Sequence, residues 1–252
     1  MSGIWLEPDW PAPPGVRALT TTRLGGVSAA PYCSLNLAGH VGDDPAAVTA
    51  NRRRLFEAAR LPAEPVWLEQ VHGCDVCVLA EDTPVRGQIS RADAAVAHRP
   101  GVVCAVLTAD CLPVLLCDDR GEAVAAVHAG WRGLLDGVIE AAVGAVGHPA
   151  ERLLAWLGPA IGPNAFEVGN EVREAFCAGP TRCEHSFRPS ANGRWLADLY
   201  GLATERLEAV GVEQVSGGGL CTMSDGARFF SYRRDGVTGR MATLIWIESL
   251  TR

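Results

Sequence analysis

The stretch "LTADCLPVLLCDDRGEAVAAVHAGWRG", residues 107–133, decides how the chain folds. Two apolar runs flank a turn at Asp118 to Gly121, so "LPVLLCDDRGEAVAAVHA" reads as a β-hairpin. Cys111, beside Asp110, opens the first run, and His128 closes the second, followed by Gly130-Trp131-Arg132-Gly133. From Trp131 the period changes. Trp131, Leu134, Leu135, Val138, Ile139, Ala142 and Val143 fall at helical spacing. They predict one apolar face on a helix of about 16 residues. His128 thus precedes a helix N-terminus, where free backbone N–H groups favour an anion. Arg132 adds a guanidinium fork, and the small residues Ala129, Gly130 and Gly133 allow a ligand to approach the backbone.

Outward from this segment, "ADAAVAHRPGVVCAVLTAD" predicts two short strands around Arg99-Pro100-Gly101. "VWLEQVHGCDVCVLA" (66–80) reads as a strand with a bulge at Gly73, and "RLLAWLGPAIGP" as a strand ending in a Pro/Gly loop. "DDPAAVTANRRRLFEAARL" is a helix started by Asp44 before Pro45. "VGNEVREAFC" and "WLADLYGLATERLEAVG" are helices, the latter ending at Gly211. "RFFSYRRDGVTGR" and "MATLIWIE" close the chain as strands. Strands and helices interleave, yet tight hairpins occur. The expectation is an α/β (α+β) fold, a single domain over residues 1–252, with a mixed β-sheet and flanking helices.

The chain has 252 residues, 48% hydrophobic and 20% charged, enough for an ordinary globular core. A net charge of −7 argues against nucleic-acid or anionic-membrane partners, and Arg52-Arg53-Arg54 reads as a solvated helix face. "MSGIWLEPDWPAPPG" lacks the features of a signal peptide, and no stretch is apolar for long enough to span a bilayer. Nine cysteines, an odd number, suggest reduced thiols and a cytoplasmic protein. No heptad pattern appears, which points to a monomer.

Three soft-metal ligands stand at strand or loop ends: His72, Cys111 and His128. No short zinc-finger spacing joins them. Each on its own reads more readily as packing, since a cysteine among apolar residues is usually core and a lone histidine is usually hydrogen-bonded packing. Cys74 and Cys77 form a C-x-x-C, but within a strand pattern residues three apart point to opposite faces, so both read as core.

Several segments together resemble one family: "TTRLGGVS", "SLNLAGHVGDD", "LEQVHG", "ADA", "LTADCLPVLL", "AVHAGWRG", "LGPAIGP" and "FFSYRRDGVTGR". They are similar to the bacterial laccase-domain proteins, or multicopper polyphenol oxidases. That family has been reassigned as purine nucleoside phosphorylases and adenosine deaminases, some members being called peptidoglycan editing factors. The resemblance runs from about Thr20 to Glu248. It implies a cysteine-hydrolase-like single domain and a zinc ion held by His72, Cys111 and His128. Two imidazoles and a thiolate leave one tetrahedral position open, as in a catalytic zinc site. Zinc lowers the pKa of a coordinated water toward roughly 7.

The implied reactions are deamination of adenosine and phosphorolysis of purine nucleosides, with adenosine, inosine, guanosine and methylthioadenosine as substrates. Arg23 and Arg233 then bind phosphate or ribose hydroxyls. Asn36 meets the ribose or caps a local loop, and Gln70 shares a strand face with His72 and orients substrate. Asp93 and Asp110 are the acid candidates, Asp93 on the substrate side and Asp110 as the proton-transfer residue beside Cys111. Two readings compete. Cys111 and His128 can serve as the nucleophile and base of an amide hydrolase acting on a peptidoglycan precursor. Two histidines and a cysteine also resemble a copper site, although a four-copper polyphenol oxidase needs more than the six histidines present, of which His98, His148 and His185 lie in polar or turn-like contexts.

Overall fold

A computed structural model describes residues 3–79, 90–179 and 183–248. The chain begins β1 (Trp5–Leu6), β2 (Val16–Thr21), α1 (Pro45–Ala59), β3 (Val76–Val78), β4 (Ala94–Ala97) and β5 (Val103–Thr108). It continues with β6 (Leu112–Asp118), β7 (Val124–Ala129), α2 (Trp131–Asp136), α3 (Val138–Val146), β8 (Leu153–Leu157) and β9 (Glu167–Val168). It ends with α4 (Asn170–Cys177), β10 (Phe187–Pro189), β11 (Trp195–Ala197), α5 (Leu199–Ala209), β12 (Gln214–Gly217), α6 (Tyr232–Asp235) and β13 (Met241–Ile247).

Two sheets stack between helices. One has the order β1-β2-β13-β5 and is antiparallel throughout. The other has the order β12-β8-β6-β7-β4-β3; its edge pairs β12–β8 and β4–β3 are parallel and its inner pairs antiparallel. This is the mixed α+β architecture expected. A small third sheet, β10-β11-β9, completes it.

Strand alternation explains the layering. In β6, Val114 and Leu116 face α3 and α5, while Leu115 and Cys117 face the antiparallel sheet. In β5, Cys104 and Val106 meet β6 and β7, while Val103, Ala105 and Leu107 pack on Leu55 of α1. Both strands are therefore apolar on both faces, and they read as unbroken apolar runs because neither face meets water. Asp44 caps α1, accepting from the Ala46 N–H at 2.9 Å, with Pro45 at the first helical position.

The two short strands expected around Arg99-Pro100-Gly101 are β4 and β5; they lie in different sheets, and the chain crosses between layers there. Three expectations need correction. The helix from Trp131 breaks at Gly137 (φ 97°), so α2 has only six residues. Within residues 66–80 only Val76–Val78 is a strand; Ala80 lies outside the described residues, and the part around His72 is a loop. The segment expected as a strand at 228–240 instead holds the four-residue helix α6, capped by Ser231, whose Oγ accepts from the Arg234 N–H at 3.2 Å.

Among the thiols, Cys177 and Cys183 form a disulfide, so the all-reduced expectation fails at that pair, and the other seven are free. Cys74 packs against the helical side of the mixed sheet and Cys77 against the inter-sheet core, so they do point to opposite faces. Among the described residues no helix is long and apolar enough to cross a membrane.

Leu116 is fully buried between the mixed sheet and α3. Leu116→Ala is expected to lower the unfolding free energy by about 2–5 kcal/mol. In urea titration the midpoint should fall with an unchanged slope; a change below 0.5 kcal/mol would contradict this layering.

Candidate metal centre and its pocket

The hairpin sets two of the three candidate ligands. Its register pairs Leu112 with Ala129 and Pro113 with His128, so Cys111 lies opposite Gly130 at the open end. The third ligand arrives on the 66–75 loop, which is fastened at several points. Val66 N–H donates to Val103 O at 3.0 Å. The Gln70 amide donates to Leu107 O at 2.8 Å and accepts from Leu107 N–H at 2.7 Å. Asp93, fully buried, accepts from the N–H groups of Val71 (3.1 Å), His72 (2.9 Å) and Gly73 (2.7 Å). His72 itself is in the left-handed region, φ 62°, a conformation that histidine tolerates better than most residues.

The three ligand atoms converge. The donor atoms of His72, Cys111 and His128 lie within 4.8 Å of one another, and His72 Nε2 is 3.8 Å from Cys111 Sγ. His128 Nδ1 pairs with Asp93 Oδ1 at 2.8 Å, which fixes the ring and leaves Nε2 for the centre. Gly130 makes room: a Cβ there would stand 3.0 Å from both Cys111 Sγ and His72 Cδ2. A thiolate and two imidazoles, with His72 exposed and a glycine kept clear of them, form a donor set that fits a zinc-type ion with an open coordination position.

The electrostatics follow from the same contacts. Burial pushes the Cys111 thiol up, but the His128 imidazolium and hydrogen bonds from His128 and His72 outweigh it and bring the pKa down to about 6. Burial lowers His128, while the Cys111 thiolate and Asp93 overcome that and raise it to about 9. Burial would raise Asp93, yet the hydrogen bonds from His128, Gly73 and Val71 hold it below the usual carboxylate range.

A cavity of about 370 Å³ opens onto the centre. Of the residues expected at the site, Gln70, Asp110, Arg132 and Arg233 line it together with the three ligands. Gln70 is there as a brace, both of its amide atoms being engaged by Leu107. Asp110 (φ 97°) is held too: Oδ1 accepts from the Thr222 hydroxyl at 2.6 Å and Oδ2 from the Arg233 N–H at 2.7 Å. Arg132 packs over the Trp131 ring, 4.4 Å from its centroid. Because α2 is so short, the accumulated helix dipole expected near His128 is largely absent.

Three expected substrate groups lie outside the cavity. Arg23 donates to Cys33 O (3.0 Å) and Gly226 O (3.1 Å) over the Phe230 ring. Asn36 is fully buried, its amide spent on Ala38, Asp43 and the Arg240 N–H. Asp93 sits beneath His72 and His128 and positions both.

The cavity also takes His40, Phe166, Tyr232 and Arg240, which the sequence reading did not single out. Their signal was faint: His40, Phe166 and Arg240 come from loops between elements, and Tyr232 opens the short helix α6 with its side chain largely exposed. A second set of donor atoms, Asp118, Glu122 and His148, also lies close together. There Asp118 already accepts from the N–H groups of Arg120, Glu122 and Ala123 and from Arg152, which closes the hairpin turn. Among the described residues these are the two groups able to hold an ion, and neither supplies the many histidines of a four-copper cluster.

A sheet sandwich with a His/His/Cys centre at a hairpin mouth defines a class. A family model described as multi-copper polyphenol oxidoreductase laccase matches residues 17–248. The chain belongs to that family. It is 59% identical over 245 residues to a purine nucleoside phosphorylase of Pseudomonas aeruginosa, covering 97% of this chain and 98% of that one. It is 56% identical over 242 residues to the purine nucleoside phosphorylase YfiH of Escherichia coli, covering 96% and 98%. A crystal structure of a Neisseria meningitidis protein superposes with a TM-score of 0.92 at 49% identity, covering 98% of this chain and all of the other.

Asp93→Asn replaces an all-acceptor carboxylate facing three backbone N–H groups with a group that is half donor. Metal retention, measured by chelator competition, is expected to fall about 10–100-fold; unchanged retention would remove Asp93 from the centre. In metal-free protein, Cys111 should alkylate with a midpoint near pH 6, because a depressed pKa keeps the thiolate present down to that pH. Burial pushes the Cys104 and Cys117 thiols up instead, so mass mapping near neutral pH should find both unmodified.

Proposed function

We propose that this chain is a zinc-dependent purine nucleoside phosphorylase with adenosine deaminase activity, acting on adenosine, inosine, guanosine and methylthioadenosine. The reading includes a cytoplasmic monomer. One observation carries it: His72, Cys111 and His128 converge at the end of a nucleoside-sized cavity lined by arginines and aromatic rings. The names of the relatives in Pseudomonas aeruginosa and Escherichia coli support the phosphorolytic half.

Zinc held by the two histidines and the thiolate supplies Lewis acidity at that end of the pocket. The chain's own groups do the rest. Arg132 and Arg233 offer guanidinium donors to phosphate, and Trp131, Phe166 and Tyr232 offer ring faces to the base. In phosphorolysis a phosphate oxygen bonds to the ribose C1′ as the C1′–N9 bond breaks. The base leaves with the electron pair and takes a proton, giving free purine and ribose-1-phosphate. In deamination water adds at C6 of adenine and ammonia leaves, giving inosine. Asp110, next to Cys111 and held by Thr222 and the Arg233 N–H, is the proton-transfer group in this reading. Asp93 keeps His128 in one tautomer and orientation.

A second reading rests on the Asp93–His128–Cys111 relay, which without metal has the order of a cysteine hydrolase triad. Cys111 would then attack an amide, as in a peptidoglycan precursor. A copper polyphenol oxidase ranks below both, for want of ligands to further copper ions.

The deciding assay incubates metal-quantified protein anaerobically with adenosine, with and without phosphate. Inosine formed without phosphate shows deamination, and adenine with ribose-1-phosphate formed only with phosphate shows phosphorolysis. Cys111→Ser and His72→Ala are each expected to reduce turnover by at least about a hundredfold. No product from any of the four nucleosides would sink the proposal. Amide cleavage that survives chelation would move the function to the thiol.

A further inference from the structure

We propose that Arg240, with His40 beside it, forms a binding site for inorganic phosphate on the pocket wall built by the 36–43 loop and the chain entering β13. This rests on the phosphorolysis reading above.

The two segments are joined directly, since the Arg240 N–H donates to Asn36 Oδ1 at 3.0 Å. Arg240 Nη1 donates to Thr238 O (2.9 Å) and Gly239 O (3.0 Å), which fixes the plane of the guanidinium. Among the described residues Nε and Nη2 have no hydrogen-bond partner, and no carboxylate is within ion-pair reach of the group. Two other part-buried arginines differ: Arg206 pairs with Glu140 at 2.7 Å and Arg152 with Asp118 and Asp119. Burial pulls the Arg240 pKa down, only partly offset by Cys111 and Asp110 nearby. The two remaining N–H sites of Arg240 meet no protein acceptor among the described residues, and an anion would take them in place of water.

Its surroundings indicate where that anion lies. Arg240 lines one cavity with Asp110 and Cys111, so the wall it helps to form borders the space next to the candidate metal centre. His40 lines the same cavity, has no hydrogen-bond partner among the described residues, and is lowered by burial, then by Arg240 and Arg52. Its environment is therefore already positive, and it stands ready as an N–H donor. Two of the other candidate arginines are less free, while Arg132 lies over the Trp131 ring. Arg23 spends its donors on two carbonyls outside the cavity, and Arg233 gives Nη1 to Glu167 O at 2.9 Å. A guanidinium locked in plane with Nε–H and Nη2–H free is the bidentate fork that a phosphate dianion fits.

The test titrates inorganic phosphate into zinc-loaded full-length protein, following 31P line broadening, for the parent chain, Arg240→Lys, Arg240→Met and His40→Asn. Phosphate affinity should fall about tenfold or more in Arg240→Met and in Arg240→Lys, which keeps the charge but loses the fork. His40→Asn, at an exposed position with no bonds to break, should weaken phosphate measurably and keeps the test valid if the Arg240 variants fail to fold. In steady state the KM for phosphate should rise while the KM for nucleoside stays within twofold. Parent-like phosphate affinity in His40→Asn and in any folded Arg240 variant overturns the site. So does loss confined to AMP used in place of phosphate, which would assign the wall to a nucleotide. Phosphate bound through these residues without phosphorolysis of any purine nucleoside would leave the site standing and defeat the functional reading. Phosphorolysis with an unaltered phosphate KM in the variants would do the reverse.

Discussion

The buried carboxylate of Asp93 organises the centre. It takes three consecutive backbone N–H groups from the His72 loop and the imidazole of His128, while its own carbonyl accepts the His128 N–H at 2.7 Å. A carboxylate out of water costs several kcal/mol unless its lone pairs are filled. Here they are filled by the groups that must be positioned, so the cost of burying Asp93 becomes rigidity in two of the three ligands. The same contacts keep it ionised, and an ionised Asp93 selects the His128 tautomer that offers Nε2 to the centre. Strain follows: His72 is held at positive φ, a position that a loop without those three hydrogen bonds would leave.

The hairpin does the complementary job by register alone. Since the side-chain period of a strand is two, sliding β7 by one residue would turn His128 to the other face and bring Ala129 into its place. Burial on both faces of β6 and β7 prevents the slide, because every one-residue shift would exchange the helical and inter-sheet layers. Gly130 and Gly133 finish the assembly. The first leaves the ligands room, and the second lets α2 approach Gly73, whose carbonyl oxygen a Cβ would meet at 2.6 Å. Small residues after the histidine are therefore required by close packing around the centre.

The parts of the fold that were legible in the sequence are those governed by local rules. The hairpin turn, the Asp44 cap, the end of α5 near Gly211 and the last strand each follow from a few adjacent residues. The errors share a cause. Gly137 lies inside a helical apolar pattern, and periodicity cannot show that its φ is left-handed. Residues 66–75 have the apolar content of a strand, but they are fastened mainly by the side chains of Gln70 and Asp93, contacts 37 and about 20 residues away along the chain. Asp93 was read as substrate-facing and Arg23 as phosphate-binding because their residue types suit those tasks. Only the fold shows that the Arg23 donors go to backbone carbonyls and the Asp93 acceptors to backbone N–H groups and His128. The ligand triad was reached through resemblance, since spacing gave no sign of it, whereas the free cations of the pocket depend on which arginines lack partners, a property of no local window.

Asp110 links the centre to the rest of the pocket. It precedes a ligand, yet its carboxylate is bonded to Thr222 and to the N–H of Arg233, and its carbonyl accepts the Ile161 N–H at 2.9 Å. The wall bearing Tyr232 and Arg233 and the loop bearing Ile161 are thus referenced to Cys111 through one residue. With α6 only four residues long and its Tyr232 ring largely exposed, that wall has little packing of its own. A short element so anchored keeps its distance from the thiolate fixed while its outer face stays free to meet a ligand. A site built this way suits any reaction that needs reactants held in line, since misplacement by about 1 Å can cost a hundredfold in rate.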